Sequence, residues 1–192
     1  MFIDRSPGWP FLAALGVAAF LGLAWHGVAT PYTEAWVFVV LVWGGFAVVW
    51  LIWFGAAMWE ARHMLTADRL MRWLPAPLIL FGLVSALTVD APFRARFALS
   101  EPSLEQYAMR LASGKEPGPG CEQVGLYRVC GNYSGEAEAI PGGARFLVHD
   151  WPWAASRGFM WLPEGKVPID NMDDQYEHIT GPWYGWKGWD GW

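Results

Sequence analysis

Charge is scarce in this chain, and its gaps are long. Only 16% of the 192 residues are Asp, Glu, Lys or Arg, against roughly 25% in an ordinary soluble domain. Trp9 to Ala29, Ala35 to Trp59 and Trp73 to Val89 contain none at all. The first two exceed the roughly 18 apolar residues that mark a transmembrane helix, and the third is slightly shorter. Three membrane spans are therefore expected. Without an acid, lysine or arginine in these runs, transport coupled to ions or protons is disfavoured.

Other absences narrow the chemistry. There is no G-x-S-x-G elbow and no phosphate-binding glycine loop, and the glycines of "PGPG" and "PGG" sit beside proline as in ordinary turns. From Ala91 onward there are 9 Lys plus Arg against 13 Asp plus Glu, a net of −4. A nucleic-acid binder needs the opposite sign. "DNMDDQYE" is acidic but lacks the ligand spacing and central glycine of an EF-hand loop. An enzyme is not expected, nor is a cofactor.

The first run is read as a retained helix. A cleaved signal peptide would suit the small Gly27 and Ala29, but its apolar core would be shorter, and Asp4 cancels Arg5 in the leader. Orientation follows from "EARHMLTADRLMR", which carries Arg62, Arg69 and Arg72, whereas "TPYTE" has no basic residue. The basic connection belongs in the cytoplasm, so the N-terminus is inside and the chain after Asp90 outside, in a bacterial cytoplasmic membrane. Arg94 and Arg96, just past the third run, resist this assignment. Glu60 to Arg72 has a spacing suited to lying along the cytoplasmic surface.

Within the first run Ala14, Ala18 and Gly22 recur every fourth residue, a strip along which another helix can approach. His26 falls next on that strip, with no second intramembrane histidine or acid, and is expected to hydrogen-bond at the outer interface. Trp36, Trp43 and Trp50 recur every seventh residue of the second run. Packing between helices of this chain is the favoured reading of Trp43 and Trp50, and docking of a partner subunit the other.

Residues 1–90 thus read as a three-helix transmembrane domain, and 91–192 as an extracytoplasmic α+β domain. "SLEQYAMRLASG" has a capping box in Ser103 and Gln106 and a glycine stop at Gly114. "VGLYRVC", "ARFLVHD", "GFMWLP" and "YEHIT" are short, aromatic or β-branched, and separated by turn residues, as in an antiparallel meander. The expectation is one helix on an antiparallel sheet. The two cysteines, Cys121 and Cys130, lie in this domain. They should pair as a disulfide across one strand-like segment or the mouth of a hairpin, since eight intervening residues match no common zinc spacing.

The order "ARFALSEPSLEQYAMRLASG", "VGLYRV", "GGARFLV", "GFMWLPEG" and "YEHITGPWYGW" resembles a set of uncharacterised actinobacterial membrane proteins with a short hydrophobic N-terminal part and a small globular C-terminal domain. The resemblance covers mainly Arg96 to Trp186. It implies this architecture but no activity, so it transfers no catalytic residue. The cysteine pair and the "KGWDGW" extension depart from the set.

The acid–base candidates are His149 beside Asp150 and His178 beside Glu177. Neighbours in a strand face opposite ways, so each doublet splits, and His149 with His178 alone makes no metal site. Most conspicuous is "GPWYGWKGWDGW", with Trp183, Trp186, Trp189 and Trp192 at every third position. A three-residue twist would align these rings on one edge. Trp183 and Trp186 are expected to pack on the domain, Trp189 and Trp192 to reach the membrane interface or a partner. The favoured function is a membrane-anchored structural or interaction protein, whose partners are the lipid bilayer and neighbouring membrane or envelope proteins. The alternative is a cell-envelope glycan binder that stacks sugars on the C-terminal tryptophans.

Overall fold

A computed structural model of the chain describes residues 8–27, 33–60, 71–115, 120–131, 138–149, 157–164 and 174–188. The chain divides into a helical unit, Met1–Gly27 with Thr33–Pro92, and a second unit that holds everything from Phe93 on.

The helical unit contains α1 (Trp9–Trp25), α2 (Thr33–Glu60) and α3 (Pro75–Thr88). Proline opens α1 and α3, where the missing N–H would have been unpaired anyway. Of the three expected spans, one meets the length requirement: Val39–Trp59 of α2, 21 residues. α1 has 17 residues and α3 has 14. At 1.5 Å per residue these rise roughly 25 Å and 21 Å, short of a hydrocarbon core of roughly 30 Å. The first and third charge-free runs are longer than the helices they form, because His26 and Gly27 follow α1, Trp73 and Leu74 precede α3 and Val89 follows it without being helical.

Leu15, Val39, Trp43, Ala76, Leu83 and Leu87 form the buried centre of this unit. Gly22 faces Trp43 and Val39 of α2, and a Cβ there would meet them in ordinary contact at 3.8 Å and 3.9 Å, so the approach does not depend on glycine. Ala18 also packs against this centre, whereas Ala14 is exposed, so the small-residue strip is only partly used. Trp43 is buried in the inter-helix core. Trp50 is half-buried and stacked on Phe54 at 4.9 Å between ring centroids.

In the second unit α4 (Ala91–Ala112) begins well before the capping box expected at Ser103, and Pro102 lies inside it. Phe93, Phe97, Ser100, Leu104, Tyr107, Ala108 and Leu111 are its buried stripe. The helix stops at Gly114, whose φ of 74° is the left-handed C-terminal geometry anticipated for it.

Among the described residues seven strands follow: β1 (Gly120–Val124), β2 (Tyr127–Gly131), β3 (Glu138–Ile140), β4 (Gly143–Val148), β5 (Arg157–Trp161), β6 (Asp174–Thr180) and β7 (Trp183–Gly188). All pairings are antiparallel, in the order β1-β2-β4-β5-β7-β6, with β3 also paired to β4. An α+β domain with one helix and an antiparallel sheet is thus what the chain forms. The order is not the simple meander expected, because β7 inserts between β5 and β6. "VGLYRVC" is not one strand but the turn of a hairpin. Gly125, at φ 60°, is the first central residue of a two-residue turn, the glycine position of type II′.

The expected three-residue twist of the aromatic segment is replaced by strand β7. In a strand, residues three apart face opposite ways. Trp183 accordingly joins the core beneath α4 with Phe97, Phe146 and Phe159, while Trp186 lies on the other face with Leu147, Met160 and Tyr184.

Candidate interaction surface

The β1–β2 hairpin is fastened at both ends. At its mouth Cys121 and Cys130, opposite one another in the register, form the disulfide, with Cα atoms 3.9 Å apart. At its tip the turn docks on α4. Ser100 Oγ accepts the Leu126 N–H at 2.9 Å and donates to the Arg96 carbonyl at 2.8 Å. Arg96 donates to the Leu126 carbonyl from Nη2 at 2.7 Å and from Nε at 3.2 Å, with its guanidinium 4.0 Å above the Tyr127 ring. The arginine that resisted the topological assignment is a structural part of this domain.

Between the same helix and β1 runs a groove of about 650 Å³. Gln106, Met109 and Arg110 of α4 form one wall, and Glu122 and Gln123 of β1 the other. Arg110 reaches across to Glu122 at 3.4 Å, both side chains about half exposed. Exposed ion pairs of this kind are weak. Below them Tyr107 has its hydroxyl pushed up to about pKa 12, by burial first and then by the Glu122 charge, with Arg110 opposing.

On the opposite sheet face Trp186 lies over Gly158 and donates from Nε1 to the Phe146 carbonyl at 3.2 Å. Arg145 stacks 5.1 Å from the Trp186 ring centroid and pairs with Asp174 at 3.0 Å. Tyr176 donates to the same carboxylate at 3.4 Å, and its hydroxyl pKa is raised, chiefly by burial and then by Asp174. These contacts hold β4, β6 and β7 together. Trp183 and Trp186 are 1% and 6% exposed, so neither offers an open ring face. Trp189 and Trp192 lie outside the described residues.

The histidines do not converge. His149 follows β4, and its backbone N–H donates to the Arg128 carbonyl at 2.8 Å. His178 lies on β6, its Nε2 3.1 Å from the Gly181 carbonyl and its ring 5.1 Å from that of Tyr184. Three strand spacings separate β4 from β6, roughly 14 Å. Asp150 lies outside the described residues, and among those described no three of His, Cys, Asp and Glu gather to hold a metal. His26 donates from Nδ1 to the Gly22 carbonyl at 2.9 Å, closing the end of α1.

Sequence reading missed Ser100, Arg110 and Glu122. The only trace of the hairpin dock was the arginine at position 96 that fitted the topology poorly. No protein-family model, curated protein or solved structure matches the chain.

Proposed function

We propose that this is a membrane-anchored, non-enzymatic interaction protein whose second unit stands outside the cytoplasmic membrane and binds a neighbouring protein. The observation that carries the reading is the outward face of the helical unit. Phe20 of α1, Leu41 of α2 and Phe81 of α3 are each at least 70% exposed, while smaller and aromatic side chains fill the centre. An apolar exterior on all three helices suits lipid and would be an aggregation hazard in water. In this reading α1 and α3 lie in the bilayer beside the longer α2.

The disulfide supports an external place for the second unit, because such bonds persist outside the reducing cytosol. A binding role is favoured over a catalytic one because the polar side chains of Ser100, Arg96 and Trp186 are committed to structure. Ser100 and Arg96 fasten the hairpin, and the Trp186 N–H fastens β7. Among the described residues the groove beside β1 is a polar surface left open.

Labelling intact spheroplasts with a membrane-impermeant maleimide tests the topology. Lys115→Cys should label from outside, and Arg72→Cys only after permeabilisation. The reverse pattern would overturn the orientation. Crosslinking in cells tests the interaction: adducts to one recurrent protein are expected, and repeated recovery of an uncrosslinked monomer counts against it.

A further inference from the structure

The outward face of α4 changes character along its length. In the first half the exposed residues are Arg94, Ala95, Ala98, Leu99 and Pro102, and in the second they include Glu105, Gln106 and Arg110. Ala95, Leu99 and Pro102 are spaced by four and three, so they form one stripe, on the side away from the buried Phe93, Phe97 and Leu104. Leu99 is 73% exposed, and Leu126 at the hairpin tip is 49% exposed. The tip is bonded to Arg96 and Ser100, the residues that follow Ala95 and Leu99 in sequence, so Leu126 lies beside the stripe.

The chain itself limits what can cover this surface. α3 ends at Thr88 and α4 begins at Ala91. Two extended residues and the rise of the helix keep Leu99 within roughly 20 Å of the end of α3. α3 alone falls roughly 9 Å short of a hydrocarbon core, but together with α4, across the break, it reaches the apolarity of a span. Exposed Phe81, Val84 and Val89 carry an apolar exterior up to the break, and Ala95 and Leu99 resume it beyond. Arg94 is exposed and has no ion pair among the described residues. An apolar stripe with an arginine one turn away matches the boundary of a leaflet, where acyl chains lie beneath phosphates.

We propose that the first half of α4, with the tip of the β1–β2 hairpin, is a docking surface for the phospholipid leaflet at which α3 ends. Leu99 and Leu126 enter the boundary between headgroups and acyl chains, and Arg94 donates to a lipid phosphate. The second unit is then held against the membrane by its own surface as well as by its tether. Arg94, which fitted the topology poorly as a loop charge, acquires a place in this arrangement.

This inference rests on the helical unit being a membrane anchor, and the test separates the two. The full chain is reconstituted in nanodiscs of phosphatidylcholine and phosphatidylglycerol with one added cysteine at a time, Leu99→Cys, Leu126→Cys, Glu105→Cys or Phe81→Cys, labelled with a fluorophore. Cys121 and Cys130 are paired and do not label. Lipids that carry a nitroxide just below the headgroup should quench positions 99 and 126 at least about threefold more than position 105, and aqueous iodide should give the reverse order. Adding Arg94→Glu should lower lipid quenching at position 99 about twofold. Equal lipid quenching at 99 and 105, or no effect of Arg94→Glu, would overturn the proposal. Protection of position 99 from iodide without lipid quenching would reveal a second copy of the chain as the occupant and would overturn it as well. If lipid quenches position 81 but not 99, the anchor stands and the docking surface falls; if it quenches neither, the anchor falls too.

Discussion

Ser100 on α4 and Leu126 at the tip of the β1–β2 hairpin are joined by a single hydrogen bond of 2.9 Å, in which the serine hydroxyl accepts the leucine amide. Ser100 is fully buried, so the bond is sheltered from water. Ser100→Ala leaves that amide without its acceptor, an unmet donor worth roughly 1–3 kcal/mol. Thermal denaturation should show a midpoint lowered by several degrees. An unchanged midpoint would mean that the Arg96 contacts hold the turn alone.

Gly125 sits against the same serine. At φ 60° it occupies a conformation that side chains resist, and an added Cβ would fall 2.7 Å from Ser100 Cβ and 2.9 Å from its Cα. Gly114 has a similar φ of 74° but open space around it. Gly114→Ala should cost only the conformational penalty, roughly 1 kcal/mol. Gly125→Ala should cost clearly more, because helix backbone cannot yield. Equal losses in chemical denaturation would show that the hairpin tip is not pressed on α4.

Tyr107 is 2% exposed, and its hydroxyl has no hydrogen-bond partner among the described residues. Its pKa, near 10 when unfolded, is raised to about 12 in the fold. A raised value means that the folded state holds the proton more tightly. The contribution is fully present below pH 10 and is lost as pH climbs toward 12, on the order of 2 kcal/mol at most. Tyr107→Phe should flatten the stability profile between pH 10 and 12. At neutral pH it should be neutral or mildly stabilising, since it removes an unmet polar group. A marked loss at pH 7 would reveal a partner for the hydroxyl.

Trp183 and Trp186 should respond differently to replacement. Trp183→Phe keeps an aromatic ring in the core and should cost less than Trp183→Ala, expected at roughly 3–5 kcal/mol. Trp186→Phe preserves the ring but removes the N–H that reaches the Phe146 carbonyl, a loss near 1 kcal/mol. Denaturant midpoints of the three variants check the order. If Trp183→Ala were as mild as Trp186→Phe, β7 would not be a core strand.

The sequence disclosed the helix ending at Gly114, most of the strands and the cysteine pairing, because each has a local cause: a glycine cap, apolar runs between turn residues, and the lone cysteine pair of the chain. It hid whatever depends on long-range partners. The capping box at Ser103 was misleading, because α4 continues back to Ala91 on the apolar spacing of Phe93 and Phe97. Trp183, Trp186 and the intervening glycine read as a repeat, yet Gly185 is simply the partner of Phe159 in the sheet. Arg110 and Glu122 became a site only once the hairpin folded beside the helix. Span lengths failed for the reverse reason: composition reports apolarity, and only geometry reports where a helix ends.

β7 lies between β5 and β6, although it is the last of the described strands to be made. Until its residues emerge, β6 has no described neighbour in the sheet and Trp161 lacks the ring that lies opposite it. The β6 edge of this sheet can therefore close only once β7 has been made. A chain stopped after Thr180 would lose a central strand, and its failure to bind any ligand would report misfolding instead of a missing binding tail.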